Sequence, residues 1–353
     1  MKPLMQILKV TITFFLGMLF VSNSAISQSM ELVSVKTNKS ITLDANLERA
    51  WNKAEALEVE LSELPYKPNN GYEGMKATTV TIRSLHDAEN IYFYVQYDDP
   101  TKSLERFPWV KQENGSWKQL SNKDSTGHDN TYYEDKLGMY WDINARGFKK
   151  KGCAVSCHLT EDGLNNGIKD KSAGRKYTKS GQNIDMWHWK GVRTNPVGMF
   201  DDQYVNSNTD PKKNKNWGRA GDDKTGGGYK NNVNKDKSGP AFMNSDNSEY
   251  KYMVVPWLKT KFVDTFKAGD VIPGIMVTPF TGPRADIKVK GVWKNGVWNL
   301  EFSRKLETSG KQTKVQDVQF SDKSKSYYFG MSVFDNSQIN HIYHDGSIKL
   351  TFE

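Results

Sequence analysis

The sequence predicts a mainly-β protein, a β-sandwich with long inserted loops and a few short helices. Three observations carry that expectation. Short stretches alternate apolar and polar residues with a period of two. Polar turns separate them, the clearest being Asn295-Gly296, a strong hairpin signal. Ten tryptophans and sixteen tyrosines suit a pleated, half-buried surface. The 353 residues would allow one large domain or two ordinary ones. No internal repeat divides the chain, and a single domain over residues 28–353 is expected.

Residues 1–27 stand apart. Lys2 and Lys9 make a positive start, residues 10–21 form an apolar run too short to span a bilayer comfortably, and Ala25-Ile26-Ser27 offers small residues for cleavage. This is the pattern of a secretory signal peptide; an uncleaved anchor is the alternative. No later stretch is apolar enough to cross a membrane. The expected mature protein is soluble, exported and periplasmic.

Residues 41–44 read as a short strand with a turn signal. Residues 47–64, with Trp51, Ala54, Leu57 and Leu61, read as a partly helical or irregular cover. Residues 78–99 form the first hairpin: Val80 and Ile82 alternate with polar residues, and after a polar turn Ile91, Phe93, Val95 and Tyr97 share a face. Residues 101–131 are polar with scattered aromatics and read as a long loop. Leu137, Met139, Trp141 and Ile143 alternate as a strand, which leads through Lys149-Lys150-Lys151 to a segment holding both cysteines. Residues 159–183 read as loop, and Ile184-Asp185-Met186-Trp187-His188-Trp189-Lys190 as an aromatic strand. Residues 206–239 carry eight Lys or Arg against four acids and are expected to be a long basic insertion, functional or disordered. Strands are expected at 252–258, 271–280 and 287–293. Beyond Asn295-Gly296, Trp298, Leu300 and Phe302 share a face, and strands at 329–333 and 348–352 close the sheet.

The segment Cys153-Ala154-Val155-Ser156-Cys157-His158 contains the only two cysteines of the chain. Covalent haem needs two thiols for its two vinyl groups and an imidazole beside the second. The usual spacing is C-x-x-C-H, and here it is one residue longer. Two bland readings stand beside this one: a small disulfide in an exported protein, or half of a zinc site with His158 as third ligand.

No other constellation carries chemistry. The chain lacks a Ser-His-Asp spacing, an H-E-x-x-H motif and a phosphate-binding loop, and Gly226-Gly227-Gly228 reads as a flexible loop. An enzyme is therefore not expected. The net charge of +8, which becomes +6 without Lys2 and Lys9, suits docking to an acidic redox partner. Export argues against nucleic acid.

Trp141, Arg146-Gly147, the Cys-His segment, residues 185–190 and Asp201-Asp202-Gln203-Tyr204, with residues 298–306 and 328–335, resemble the haem-binding domain of the ethylbenzene dehydrogenase gamma-subunit and cytochrome c-552 type. The resemblance implies one haem in a β-sandwich and electron transfer, as a free shuttle or as a subunit of a respiratory oxidoreductase such as a molybdenum enzyme. Members without the cysteines hold haem b. The two cysteines place this chain in the c-type branch, haem c, which shares the longer spacing.

His158 adjoins the second thiol and is the expected proximal ligand. Five other histidines could supply the distal one. In haem-b relatives a lysine in the C-terminal region does so, and the position nearest it is His344, ranked first. His188 follows, between Trp187 and Trp189, which could wall a haem face; His341 is third. Met139, Met186, Met199 and Met331 sit near these segments but are expected to pack. Lys190 and Arg193 could pair with haem carboxylates, and Asp201-Asp202 could be a calcium ligand pair. The alternatives are a carbohydrate-binding sandwich module with a structural disulfide, stacking sugars on Trp109, Trp117 and Trp217, or a haem-based sensor with an open sixth site.

Overall fold

The computed structural model describes residues 30–39, 41–65, 74–121, 131–157, 164–165, 168–169, 176–210, 218–246 and 249–353. The expected signal peptide, His158, His128 and Trp217 lie outside them. No helix among the described residues is long and apolar enough to cross a membrane.

The principal sheet has 13 strands. They are β1 (Glu31–Lys36), β2 (Leu57–Leu61), β3 (Thr78–His86), β4 (Asn90–Asp98), β5 (Lys136–Asp142), β6 (Ile184–Lys190), β7 (Asp201–Val205), β8 (Arg219–Gly221), β9 (Lys288–Lys294), β10 (Val297–Lys305), β11 (Tyr327–Phe334), β12 (Ile342–Tyr343) and β13 (Ile348–Phe352). Their order is β8-β7-β6-β5-β11-β13-β1-β3-β4-β10-β9, with β2 on β3 and β12 on β11. β1 runs parallel to both β13 and β3 and joins the two halves; the other pairings of this sheet are antiparallel. The architecture is mainly β, as expected.

The sheet curls so that β5, β6 and β11 face β4 and β10. Period-two alternation sends Trp141, Trp187 and Trp189 to the inside, where all three are fully buried. Trp187 meets Trp141 at 5.0 Å and Phe93 at 5.9 Å between ring centroids, and Trp189 meets Trp298 at 4.8 Å. Offset and edge-on aromatic contacts of this kind fill the space between the layers. Glu301, buried on β10, fastens the N-terminal cover: it accepts hydrogen bonds from the Asp44 and Ala45 amides and from Trp51 Nε1, each at 2.9 Å.

Several loops of the sequence reading are strands, and two strands are not. Residues 41–44 are extended chain held by Glu301 rather than a strand. Within the expected cover, Leu57, Val59 and Leu61 alternate and form β2. Residues 101–131 contain two short strands, Trp109–Lys111 and Trp117–Gln119, paired to each other. The basic insertion holds β8 and a second strand, Gly226–Asn231, which pairs with Ile275–Thr281. The glycine run is thus a bulged strand rather than a flexible loop. Gly227 has φ +76°, and a Cβ there would lie 1.9 Å from the Pro279 carbonyl oxygen. Only glycine permits that approach. Residues 252–258 form no strand, because Pro256 lacks the amide a ladder needs; Val254 makes a single bridge to Met276.

Candidate functional site

Asp142 ends β5 and turns the chain: its Oδ1 accepts the Ala145 amide at 2.8 Å. A four-residue helix, α1 (Phe148–Lys151), follows Gly147, and Gly152 at φ +55° leads into a 3-10 turn at Cys153–Val155. Glycine lets this segment lie flat on the outer face of the sheet. A Cβ on Gly152 would stand 1.7 Å from the Gly346 carbonyl oxygen, and one on Gly330 of β11 would stand 3.2 Å from the Cys153 nitrogen.

Both cysteines are buried and unoxidised. They pack with Tyr140, Phe148, Ile184, Met186 and Val205. The two thiols are hydrogen-bonded to each other. That bond, with the Lys176 ammonium, holds Cys157 below the usual thiol range against its burial. The same bond and burial push Cys153 up. The pair thus has one thiol that ionises readily and one that does not, and the thiolate is the reactive form.

On β6 the residues Ile184, Met186, His188 and Lys190 face outward and Asp185, Trp187 and Trp189 inward. Trp187 and Trp189 therefore do not flank His188, as the sequence suggested; a strand sends sequence neighbours to opposite faces, and both indoles belong to the core. His188 lies two residues along the strand from Met186, about 7 Å. It is 4 % exposed, and neither ring nitrogen has a hydrogen-bond partner. Burial, with the charges of Lys190, Lys136, Arg219 and Arg193, holds its pKa far down, so the ring is neutral. Phe334 lies 5.8 Å from His188 and 4.5 Å from His341.

His341 is buried, with Nδ1 2.8 Å from the Ile339 carbonyl oxygen. That carbonyl can only accept, so Nδ1 carries the proton and Nε2 the lone pair. Burial pushes its pKa down to about 3. His344 stands nearer the surface, with Nδ1 3.2 Å from the Glu60 carbonyl oxygen. Its loop touches the cysteine segment through the Gly152–Gly346 bridge. His86 lies elsewhere, beside Ser34 and Phe352. Met139 and Met331 are in the core, Met199 accepts the Phe280 amide, and of the four methionines only Met186 reaches the cysteines.

Lys190 is ion-paired to Asp201, and Arg193 to Glu134. Neither head is turned to an outside carboxylate, contrary to the expectation for haem carboxylates. Nothing in the sequence marks Lys136 and Lys176, buried lysines positioned by the pairing of β5 and by a bridge from Lys176 to Cys157. Lys136 is buried, donates to the Gln338 carbonyl oxygen at 3.0 Å and lies 3.9 Å over the Phe334 ring. Trp109 is buried with Nε1 on the Asn232 carbonyl oxygen, and Trp117 packs edge-on against Phe262 and Phe266. A cavity of about 540 Å³ lies elsewhere, lined by Tyr229, Phe242, Met276, Phe280, Lys224 and Arg284 among others; none of the sequence-predicted site residues lines it.

Residues 48–346 match the family model described as ethylbenzene dehydrogenase. The chain belongs to the ethylbenzene dehydrogenase family. The match takes in the cysteine segment, β6 and all the histidines of the chain. Membership ties the chain to redox enzymes of oxidoreductase type. No curated protein matches it. Among solved structures it is similar to a family 9 carbohydrate-binding module from Caldicellulosiruptor kristjanssonii in complex with cellotriose (11 % identity, 91 % of this chain and 94 % of that one, TM-score 0.32) and to the same kind of module with glucose (9 %, 90 % and 94 %, 0.31).

The outer face of this ethylbenzene dehydrogenase family member suits a haem in its donor set. Two unoxidised thiols lie side by side over an apolar floor of Tyr140 and Met186. Two neutral imidazoles flank Phe334 on the same side of the sheet. The orphaned nitrogens of His188 are buried polar atoms of the kind a bound group satisfies.

Proposed function

We propose that the chain is an exported mono-haem c-type cytochrome that relays electrons, free or as a subunit of an oxidoreductase complex. The observation that carries this reading is the pair of buried, unoxidised thiols at Cys153 and Cys157, followed directly by His158. A structural zinc would need four ligands. In this reading Cys153 and Cys157 hold the haem and His158 is the proximal ligand. A haem iron between two imidazoles takes up and releases one electron at a time.

For the distal ligand the geometry favours His341 over His344 and His188. Its Nδ1–H is held by a backbone carbonyl, the usual arrangement behind an imidazole that ligates through Nε2. His344 has the same kind of contact but at the surface, and His188 has no hydrogen bond to orient it. Lys136 is a buried amine that a haem carboxylate would hold in its charged form. Lys190 and Arg193 instead keep the surrounding sheet charge-paired.

The test is a pyridine haemochrome spectrum after acid-acetone extraction of protein matured with a c-type assembly system. Haem retained on the polypeptide, and lost in the Cys153→Ser/Cys157→Ser double variant, is expected. His341→Ala should turn a low-spin spectrum high-spin, while His344→Ala and His188→Ala should leave it low-spin. A colourless wild-type protein, or haem that extracts fully, would overturn the reading and return the chain to the sugar-binding alternative.

A further inference from the structure

On the opposite face of the same strands lies a second cluster. Asp202 of β7, Asp222 just beyond β8 and Asp317 just beyond a short helix, α2 (Thr313–Gln316), bring carboxylate oxygens within 4.8 Å of one another. All three are buried, at 0 %, 3 % and 2 % exposure. Asp185 and Asp286 stand beside them. Arg304 is the one cation that pairs with this group among the described residues: it donates to Asp185 at 3.0 Å and also to the Val318 carbonyl oxygen.

The hydrogen bonds sort the oxygens into two sets. Asp202 Oδ1 accepts the Gln203 amide at 3.0 Å, Asp317 Oδ2 accepts the Thr308 hydroxyl, and Asp185 Oδ2 accepts the Val318 amide and Trp187 Nε1, each at 2.9 Å. Asp202 Oδ2, Asp317 Oδ1, Asp185 Oδ1, Asp286 Oδ1 and both oxygens of Asp222 have no partner. One oxygen of each of three carboxylates is thus fixed by the protein while the other is left unsatisfied. Burying five acids against one guanidinium costs far more than any packing gain unless a further positive charge joins them.

We propose that Asp202, Asp222 and Asp317 bind a calcium ion, with Asp185 and Asp286 completing its negative surround. An all-oxygen carboxylate set is what calcium takes, at 2.3–2.6 Å from each oxygen. Oxygens up to 4.8 Å apart fit opposite sides of such an ion. Magnesium demands tighter octahedral geometry and keeps several waters, and zinc favours nitrogen and sulfur. The neighbouring Asp201 takes no part, since it faces outward onto Lys190 and Arg284. A second acid triad, Asp99, Asp135 and Asp335, is less suited: within it only Asp99 Oδ2 lacks a partner. The calcium site stands independently of the haem reading.

The test uses the full chain, stripped with EDTA and then equilibrated with calcium chloride or, separately, magnesium chloride. Mass spectrometry should find about one calcium per chain after desalting, and calorimetry should show the unfolding midpoint raised by several degrees with calcium and little with magnesium. Asp202→Asn/Asp317→Asn should lose both the bound calcium and the shift. A wild-type protein that retains no calcium and unfolds at the same midpoint with and without it would overturn the proposal, whether or not the double variant folds.

Discussion

Strands β6 and β7 carry charge on both faces, and the two faces are balanced in opposite ways. Outward, each acid meets a cation: Asp201 has Lys190 and Arg284, and Glu134 has Arg193. Lys136 is left over, a buried amine without an acid in ion-pair contact among the described residues, and burial pushes its pKa well down. Inward, five acids share one guanidinium. Alternation along a single strand puts Asp201 and Asp202, neighbours in sequence, into these two settings. A face that supplies its own counter-ions needs nothing from solution, whereas a face that lacks them points to a ligand of opposite charge. The outer face has an amine to spare and suits an acidic group, and the inner face has acids to spare and suits a cation.

The comparison breaks first at Glu134. Its Oε2 accepts the Val192 and Arg193 amides at 2.7 and 2.9 Å, and its charge offsets a buried guanidinium. Glu134→Gln should cost about 3–5 kcal/mol in urea unfolding, the cost of leaving a buried charge unpaired. On the inner face the sign should reverse. In EDTA at neutral pH, Asp222→Asn should stabilise the chain by about 1 kcal/mol, because folding no longer has to protonate an acid buried among other acids; a loss of several kcal/mol there would show that the acids are already balanced without a cation. The smallest effect sharpens the outer face alone. Gly330→Ala should cost about 1 kcal/mol by pressing a methyl against Cys153, and haem retention on the cysteines should fall with it.

The hairpin of β3 and β4 was legible because its alternation is clean and its turn polar, and β9–β10 because Asn295 and Gly296 both take the positive φ their turn demands. β6 was legible residue for residue, yet its chemistry was misread: Trp-His-Trp looks like a sandwiched histidine in a line of letters and is a histidine backed by core in a strand. The match over residues 48–346 upholds the ethylbenzene dehydrogenase family, while the gamma-subunit type and the c-type branch belong to the proposal. Local pattern could not show pairing set by distant partners, such as Gly226–Asn231 on Ile275–Thr281. Nor could it show the acid cluster, whose members run from Asp185 to Asp317 and meet only when β6, β7 and the end of β8 lie side by side. Lys136 and Lys176 were invisible for the same reason.

The parallel strand β1 has a consequence for how the molecule is made. Glu31 pairs with Lys349, and three residues on, Ser34 pairs with Ser84 as well as Phe352. Among the described residues the ladder passes from one half of the sheet to the other through this strand, with a further bridge from Glu63 to Tyr343, so the segment that leads the described chain finds its place beside the segment that ends it. A chain emerging in order can form β3–β4 early, from contacts a few residues apart. It must then wait for β13 before the central seam closes. Such long-range pairing folds slowly, and until it is complete the edges of β1 and β3 present open ladders to any other strand. The interval between synthesis and closure is therefore when the protein is most exposed to mispairing, and when a partner or chaperone would have most to protect.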